Sequence, residues 1–372
     1  MLSETDTNRI KPGDIKNKYI EVDTEPKKKI INIQVLRGVA VLSVVLYHIW
    51  LFEKQINFGK QLMPDIFGLG YLGVDLFFVI SGFVMVSVTR GKFQQPLGTL
   101  LFLYKRITRI YPLYWFYTFL LVAAYFFLGT DTTSLAVNLK AFVLLPQEKF
   151  PILNVGWTLI HEMYFYVVFS LFLFAPEKWL SRLILIWFFL IIGFNMLIFK
   201  TQSITLTPAV FHIIHPLTVE FIMGCVMAIL FYHNIKINGH AILGFGILLT
   251  ITGMMSYSHE CGLWLRVLMV GFPFSLLLLG AVTMESDQSK YFSEILRSIG
   301  DSSYSIYLSH TLVIMVIARC WKWFPEPGQY GYLIASIFML LGSLIYGKYS
   351  YRLIEYPMIL SATKQIPQIF KK

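Results

Sequence analysis

The sequence predicts an all-α polytopic membrane protein, a bundle of about ten transmembrane helices. Three observations carry that prediction. Of the 372 residues, 56% are hydrophobic and only 14% are charged, whereas a soluble chain is about a quarter charged. The apolar residues are gathered into runs of about 17–25, the length that crosses ~30 Å of hydrocarbon. The basic residues, finally, fall between those runs rather than in one soluble patch, which argues for topology signals and against nucleic acid despite a net charge of +10.

Hydropathy, read with turn and charge breaks, places the helices over 32–52, 71–89, 111–129, 157–175, 182–199, 211–232, 240–257, 263–284, 303–320 and 330–350. With the amino terminus inside, 22 basic residues fall on the cytoplasmic side and eight outside, leaving Arg37 within the membrane. That asymmetry predicts that both termini are cytoplasmic. Residues 1–30 are charged, contain Pro12 and Pro26 and offer no apolar core for a cleavable signal. They read as a flexible cytoplasmic tail, 31–360 as the membrane domain and 361–372 as a second cytoplasmic tail. The first helix then serves as an uncleaved anchor. No internal repeat or separate soluble domain is visible. The three cysteines show neither a CxxC nor a zinc spacing, so neither a disulfide framework nor a metal site is expected.

Ionisable groups inside a bilayer cost a few kcal/mol each and face a cavity or a partner. The first helix carries two, in LRGVAVLSVVLYHIW: Arg37 and His48. Eleven residues at 100° leave about 20° after three turns, so both share one face, roughly 16 Å apart along the axis. Separately, snorkelling explains Arg37 and an interhelical hydrogen bond explains His48. Together, they suit the two ends of one long ligand. Asp75 lies in GYLGVDLFFVISGF, at the same depth as His48, and the two are expected to pair, with the aspartate fixing the imidazole tautomer. In LYKRITRIYPLYW, Arg106 and Arg109 share a helical face ahead of Pro112. Positive-inside placement accounts for them, but two guanidiniums there also suit a phosphorylated ligand. Coenzyme A, a phosphorylated handle on a thin arm, has the required shape.

Further along, GWTLIHEMYFY brings Trp157, His161 and Glu162 into the fourth helix, with Glu162 one turn from Tyr166. The glutamate is expected to orient an acceptor hydroxyl or pair with an intramembrane cation, and Trp157 to sit at the interface. Glu220 is a further intramembrane carboxylate. SYSIYLSH carries Ser305, Ser309 and His310 as a polar stripe, and YRLIEYP places Glu355 at the inner surface among basic residues. No GxSxG, P-loop or GxGxxG element occurs in a strand–helix context, which disfavours soluble hydrolase and nucleotide folds.

Six stretches in order resemble the acyltransferase-3 family of membrane acyltransferases: LRGVAVLSVVLYH, GVDLFFVISGF, RITRIYP, GWTLIHEMYFY, GDSSYSIYLSH and YRLIEYP. The resemblance covers about residues 31–360 and looks most like the branch that O-acetylates bacterial exopolysaccharides. It implies a ten-helix inner-membrane enzyme that moves an acyl group, usually acetyl, from acyl-CoA to a sugar hydroxyl of a glycan or lipid-linked precursor. Arg37 and His48 match the family's first-helix pair, and Arg106 and Arg109 its Arg-x-x-Arg pair. The sequence departs from the pattern at His161, where members often carry Asn or Tyr, and shows no appended serine-hydrolase-like domain.

These readings assign His48, Asp75 and Glu162 to catalysis, Arg37, Arg106 and Arg109 to the acetyl-CoA donor, and Trp157 and His310 to the acceptor. The expected partners are the bilayer, acyl-CoA, the saccharide acceptor and polysaccharide-assembly proteins. His48 acts either as general base or through a covalent acyl-histidine. Two rival classes stand beside the enzyme: a transporter of a sugar, lipid or anion, and a non-catalytic partner of a polysaccharide synthase. A transporter is disfavoured because no paired repeats or broken helices appear in corresponding positions. A scaffold would not need the Arg37/His48 geometry.

Overall fold

The computed structural model describes residues 30–56, 63–127, 139–201, 206–233, 235, 237–258, 262–285, 292–321 and 328–370. The expected tail over 1–30 lies, but for Ile30, outside the described residues. Among them, every regular element is helical. The first membrane helix is α1 (Ile31–Ile56), and a 3-10 turn over Asp65–Leu72 leads into α2 (Gly73–Thr89). There follow α3 (Pro96–Phe127), the short α4 (Leu139–Phe142), α5 (Trp157–Phe172), α6 (Leu180–Thr201) and the short α7 (Pro208–Ile213). Then come α8 (Thr218–Tyr232), α9 (Gly239–Ser256) and α10 (Leu263–Arg266), which runs through a π segment, Val267–Gly271, into α11 (Phe272–Thr283). The last are α12 (Phe292–Asp301), α13 (Ser303–Trp321) and α14 (Gly328–Ser350), continued by a second π segment, Tyr351–Glu355, into α15 (Tyr356–Phe370).

Ten stretches of these helices are long and apolar enough to cross a membrane, and each overlaps one of the ten expected runs. The protein is an all-α polytopic membrane protein. Three features differ from expectation. The third helix begins at Pro96 rather than 111, because Lys105, Arg106 and Arg109 interrupt hydropathy without interrupting the helix, and Pro112 is accommodated in its interior. Proline there removes one backbone hydrogen bond but leaves the helix continuous. Arg106 and Arg109 therefore sit on a membrane helix, not in a loop. The amphipathic α12 is additional. It packs on α1 so closely that a Cβ on Gly300 would strike the Gln34 carbonyl. At the end of the chain, α15 extends to Phe370 where a tail was expected from 361, and Tyr104 on α3 donates to the Ala362 carbonyl at 3.2 Å.

The centre of the bundle is the crossing of α2 and α8. A Cβ on Gly82 would fall on the Phe221 carbonyl oxygen, and one on Gly224 on that of Val79. Glycine at both positions lets the backbones touch, so dispersion between helices replaces the hydrophobic effect that lipid cannot supply. Around the crossing, Phe83, Phe165, Phe169 and Phe221 are fully buried, and the Phe165 and Phe221 rings lie 4.5 Å apart. This packing fixes α2 and α5, which form walls of the site.

Candidate active site

Two cavities lie along the bundle, one at the Arg37 end of α1 and one at its His48 end. The first receives Arg37 from α1, Arg106 and Arg109 from α3, Glu162 and Tyr166 from α5 and Ser303 and Tyr304 from α13. The second and larger receives Tyr47 and His48 from α1, Trp157 and His161 from α5, His212 from α7, and His215 and Arg266. Val74 of α2 and Tyr307 of α13 line both cavities and separate them. The Tyr307 hydroxyl is hydrogen-bonded to Thr158 Oγ1 at 2.9 Å and to the Val155 carbonyl at 3.2 Å. The wall is thus tied across α13 and α5.

Charge distinguishes the first cavity. Arg37 donates through Nη2 to Ser303 Oγ at 2.9 Å and through Nη1 to Gln34 Oε1 at 3.5 Å, both neutral acceptors. The Arg106 guanidinium lies 5.5 Å from the ring centres of both Phe102 and Tyr166, and its buried Nε has no hydrogen-bond partner. Among the described residues, none of the three arginines is ion-paired; the salt bridge seen there joins Arg266 and Asp75. The carboxylate lining this cavity, Glu162, accepts a short hydrogen bond from the Tyr166 hydroxyl. Three guanidiniums against Glu162 at the wall, with Glu355 as a second nearby carboxylate, make a receptor for a multiply charged anion among apolar side chains.

The expected pairing of Asp75 with His48 is not formed. Asp75 is fully buried, and both its oxygens are taken by Arg266: Nε to Oδ1 at 2.7 Å and Nη2 to Oδ2 at 2.6 Å. A planar fork matches a carboxylate far better than an imidazole does. Arg266 is the residue that sequence reasoning missed. It closes α10 immediately before the π segment, stands 4.8 Å over the Tyr71 ring and lines the second cavity. A π bulge inside a predicted span was the feature to look for, but hydropathy does not register one.

The remaining expectations divide. Arg37, Arg106 and Arg109 are brought together in one cavity, and His48 and Trp157 together in the other. Glu162 faces the arginines rather than an acceptor beside His48, since it points into the first cavity. His310 lines neither cavity; it is buried, with Nε2 3.2 Å from His48 Nδ1. His161, also buried, stacks 4.5 Å from His212 and lies tilted 4.7 Å from His215, and its Nδ1 has no hydrogen-bond partner. Among the described residues, no group of histidine, cysteine or acidic side chains is arranged to hold a metal ion. Glu355 is buried rather than set among surface bases, and it accepts from Ser305 at 2.6 Å.

A family model described as an acyltransferase domain matches residues 30–348. The chain belongs to the acyltransferase-3 family. Among its relatives, the exopolysaccharide production protein ExoZ of Rhizobium meliloti is 29% identical over 68% of this chain and 79% of its own length. The peptidoglycan O-acetyltransferase OatA of Listeria monocytogenes is 23% identical over 89% of this chain, which spans 56% of that protein. A putative acetyltransferase of Acidianus two-tailed virus is 26% identical over 80% of this chain and 87% of its own. No solved structure matches. The family makes the protein a membrane-embedded acyltransferase.

Proposed function

We propose that the protein is an O-acetyltransferase of the bacterial inner membrane, carrying acetyl from cytosolic acetyl-CoA to a sugar hydroxyl of an exopolysaccharide or its lipid-linked precursor. The observation that carries this reading is the cavity in which Arg37, Arg106 and Arg109 converge without ion-pair partners. The phosphates of acetyl-CoA supply the missing anions, and each charge-assisted hydrogen bond contributes about 1.5–3 kcal/mol. The positive-inside asymmetry supports a cytosolic position for that cavity. The arm then runs along α1 toward His48, roughly 16 Å from Arg37, and its thioester end has to cross the Val74–Tyr307 wall. The acceptor occupies the larger cavity, whose Trp157, Tyr47 and Phe211 offer ring faces to a saccharide and whose histidines offer polar edges.

His48 acts as the general base. It removes the proton of the acceptor hydroxyl as that oxygen attacks the thioester carbonyl carbon. The tetrahedral intermediate collapses with loss of the carbon–sulfur bond, and the thiolate takes the proton back from the imidazolium. A positioned base contributes about 10²–10⁴-fold. Asp75 holds Arg266 in the wall of the acceptor cavity and acts through it, while Glu162, held by Tyr166, lends a counter-charge to the guanidiniums of the donor cavity. The names of ExoZ and OatA support the transfer and the glycan class of acceptor. The test compares acetyl on surface polysaccharide in cells with and without the protein. Loss of acetyl in its absence, restored by wild type, is expected; unchanged acetyl content contradicts the assignment.

A further inference from the structure

His310 is fully buried, yet the edge of its ring meets the reacting imidazole of His48. In both rings, Nδ1 faces the carbonyl four residues back in its own helix. His48 Nδ1 lies 2.9 Å from the Val44 oxygen, and His310 Nδ1 lies 3.1 Å from the Ile306 oxygen. A carbonyl only accepts, so each Nδ1 carries the hydrogen and each neutral ring keeps its lone pair at Nε2. His310 Nε2, 3.2 Å from His48 Nδ1, is therefore an acceptor for the His48 N–H, which it shares with the Val44 carbonyl. This leaves His48 Nε2 unprotonated and, among the described residues, without a partner.

We propose that His310 is a positioning residue of the acyl transfer. It locks His48 in the tautomer whose Nε2 is the base and accepts a stronger hydrogen bond from the imidazolium as positive charge develops. The inference rests on the reading of His48 as general base. The position beside a catalytic imidazole that a carboxylate often takes is here held by a neutral ring, because Asp75 is committed to Arg266. A neutral acceptor orients the imidazolium without forming an ion pair, so the proton remains available to the departing thiolate. The other titratable groups facing the two rings are Tyr47, 5.1 Å from His48, and Tyr307, 5.9 Å from His310. Glu148, Lys149, Arg266 and the three other histidines share the cavity of His48 but touch neither ring.

The test measures acetyl transfer from labelled acetyl-CoA in membrane vesicles by wild type, His310→Leu and His310→Gln, with yield and acetyl-CoA binding checked for each. Gln restores an acceptor oxygen near the position of Nε2; Leu does not. Removing one hydrogen bond to a charged group predicts a fall in kcat of about tenfold to a hundredfold in His310→Leu. KM for donor and acceptor should change by less than about twofold. The acid limb of the kcat–pH profile should move to lower pH, because the imidazolium has lost an acceptor. His310→Gln should recover most of kcat and return the limb toward wild type. Wild-type kcat in His310→Leu overturns the inference, as does a loss confined to acceptor KM, which would make His310 a substrate ligand. A Gln variant as impaired as Leu, with an unmoved limb, overturns it too. His48→Gln, run alongside, separates the two claims: if it transfers at the wild-type rate, the base assignment itself fails.

Discussion

Asp75→Asn asks whether this carboxylate holds the bundle together or serves the reacting histidine. The structure gives it to Arg266 through two hydrogen bonds of 2.7 and 2.6 Å, with Asp75 fully buried and Arg266 8% exposed. Breaking a buried pair by removing one partner costs about 3–5 kcal/mol, since the other charge is left uncompensated. Glu220 sets the asymmetry. It is fully buried on α8, and its carboxyl borders the same pair. In Asp75→Asn the amide oxygen still accepts from the guanidinium, and Glu220 beside it can ionise once the aspartate charge is gone, so the cost should fall near the lower figure, about 3 kcal/mol. In Arg266→Met the buried Asp75 carboxylate loses its cation and both of its hydrogen bonds, and the cost should approach about 5 kcal/mol. The double variant Asp75→Leu/Arg266→Met should recover much of this, because an apolar replacement of both partners is often neutral. Unfolding by SDS in mixed micelles reads these differences, and acetyl transfer per folded molecule reads function separately. An Asp75→Asn protein as stable as wild type but unable to transfer acetyl would refute the reasoning and return the carboxylate to His48.

Arg106→Ala and Arg109→Ala should each weaken acetyl-CoA binding by about tenfold to a hundredfold, the equivalent of one charge-assisted hydrogen bond. Lysine should rescue only partly, because a point charge does not reproduce a fork; equal donor affinity in all variants would leave these arginines to topology alone. Gly82→Val must drive the Phe221 carbonyl away from α2 and should cost at least about 1–3 kcal/mol, read as lost folded yield. Gly193→Ala, with open space at its Cβ position, is the control and should express normally. Cysteines introduced near Lys92 should label from the cytosolic side and those near Lys149 from the outer side. A cytosolic position for Lys149 would place donor and acceptor on the same face and contradict the proposed path.

The ten spans were legible because each apolar run is long enough to cross a membrane and is bounded by charge or turn residues. The start of α3 was not, since three cations on one helical stretch look like a loop to a hydropathy window. The Arg37–His48 spacing was legible because both residues sit on one helix, where the period alone fixes their relation. The partner of Asp75 lay beyond such reasoning: Arg266 is 191 residues away, and only the packing of α2 against the chain around the first π segment brings them together. Glu162 and His310 show the same limit. Their helices could be read, but the neighbours each meets depend on helix rotation and on depth in the packed bundle, which periodicity leaves open. The branch of α15 beyond residue 360 was hidden by its mixed polar composition.

The central claim is that His48 is the base at one end of a donor path anchored by Arg37, Arg106 and Arg109. The measurement that tests it most directly is acetyl transfer from labelled acetyl-CoA in membrane vesicles carrying His48→Gln, with insertion and donor binding measured on the same vesicles. Glutamine keeps a hydrogen-bonding side chain but cannot accept a proton near neutral pH. The wild-type rate should rise from acid to neutral pH as the imidazole loses its proton. The account predicts an inserted His48→Gln protein that binds acetyl-CoA as wild type does and transfers no acetyl at any pH in that range. Transfer by this variant at the wild-type rate would contradict it.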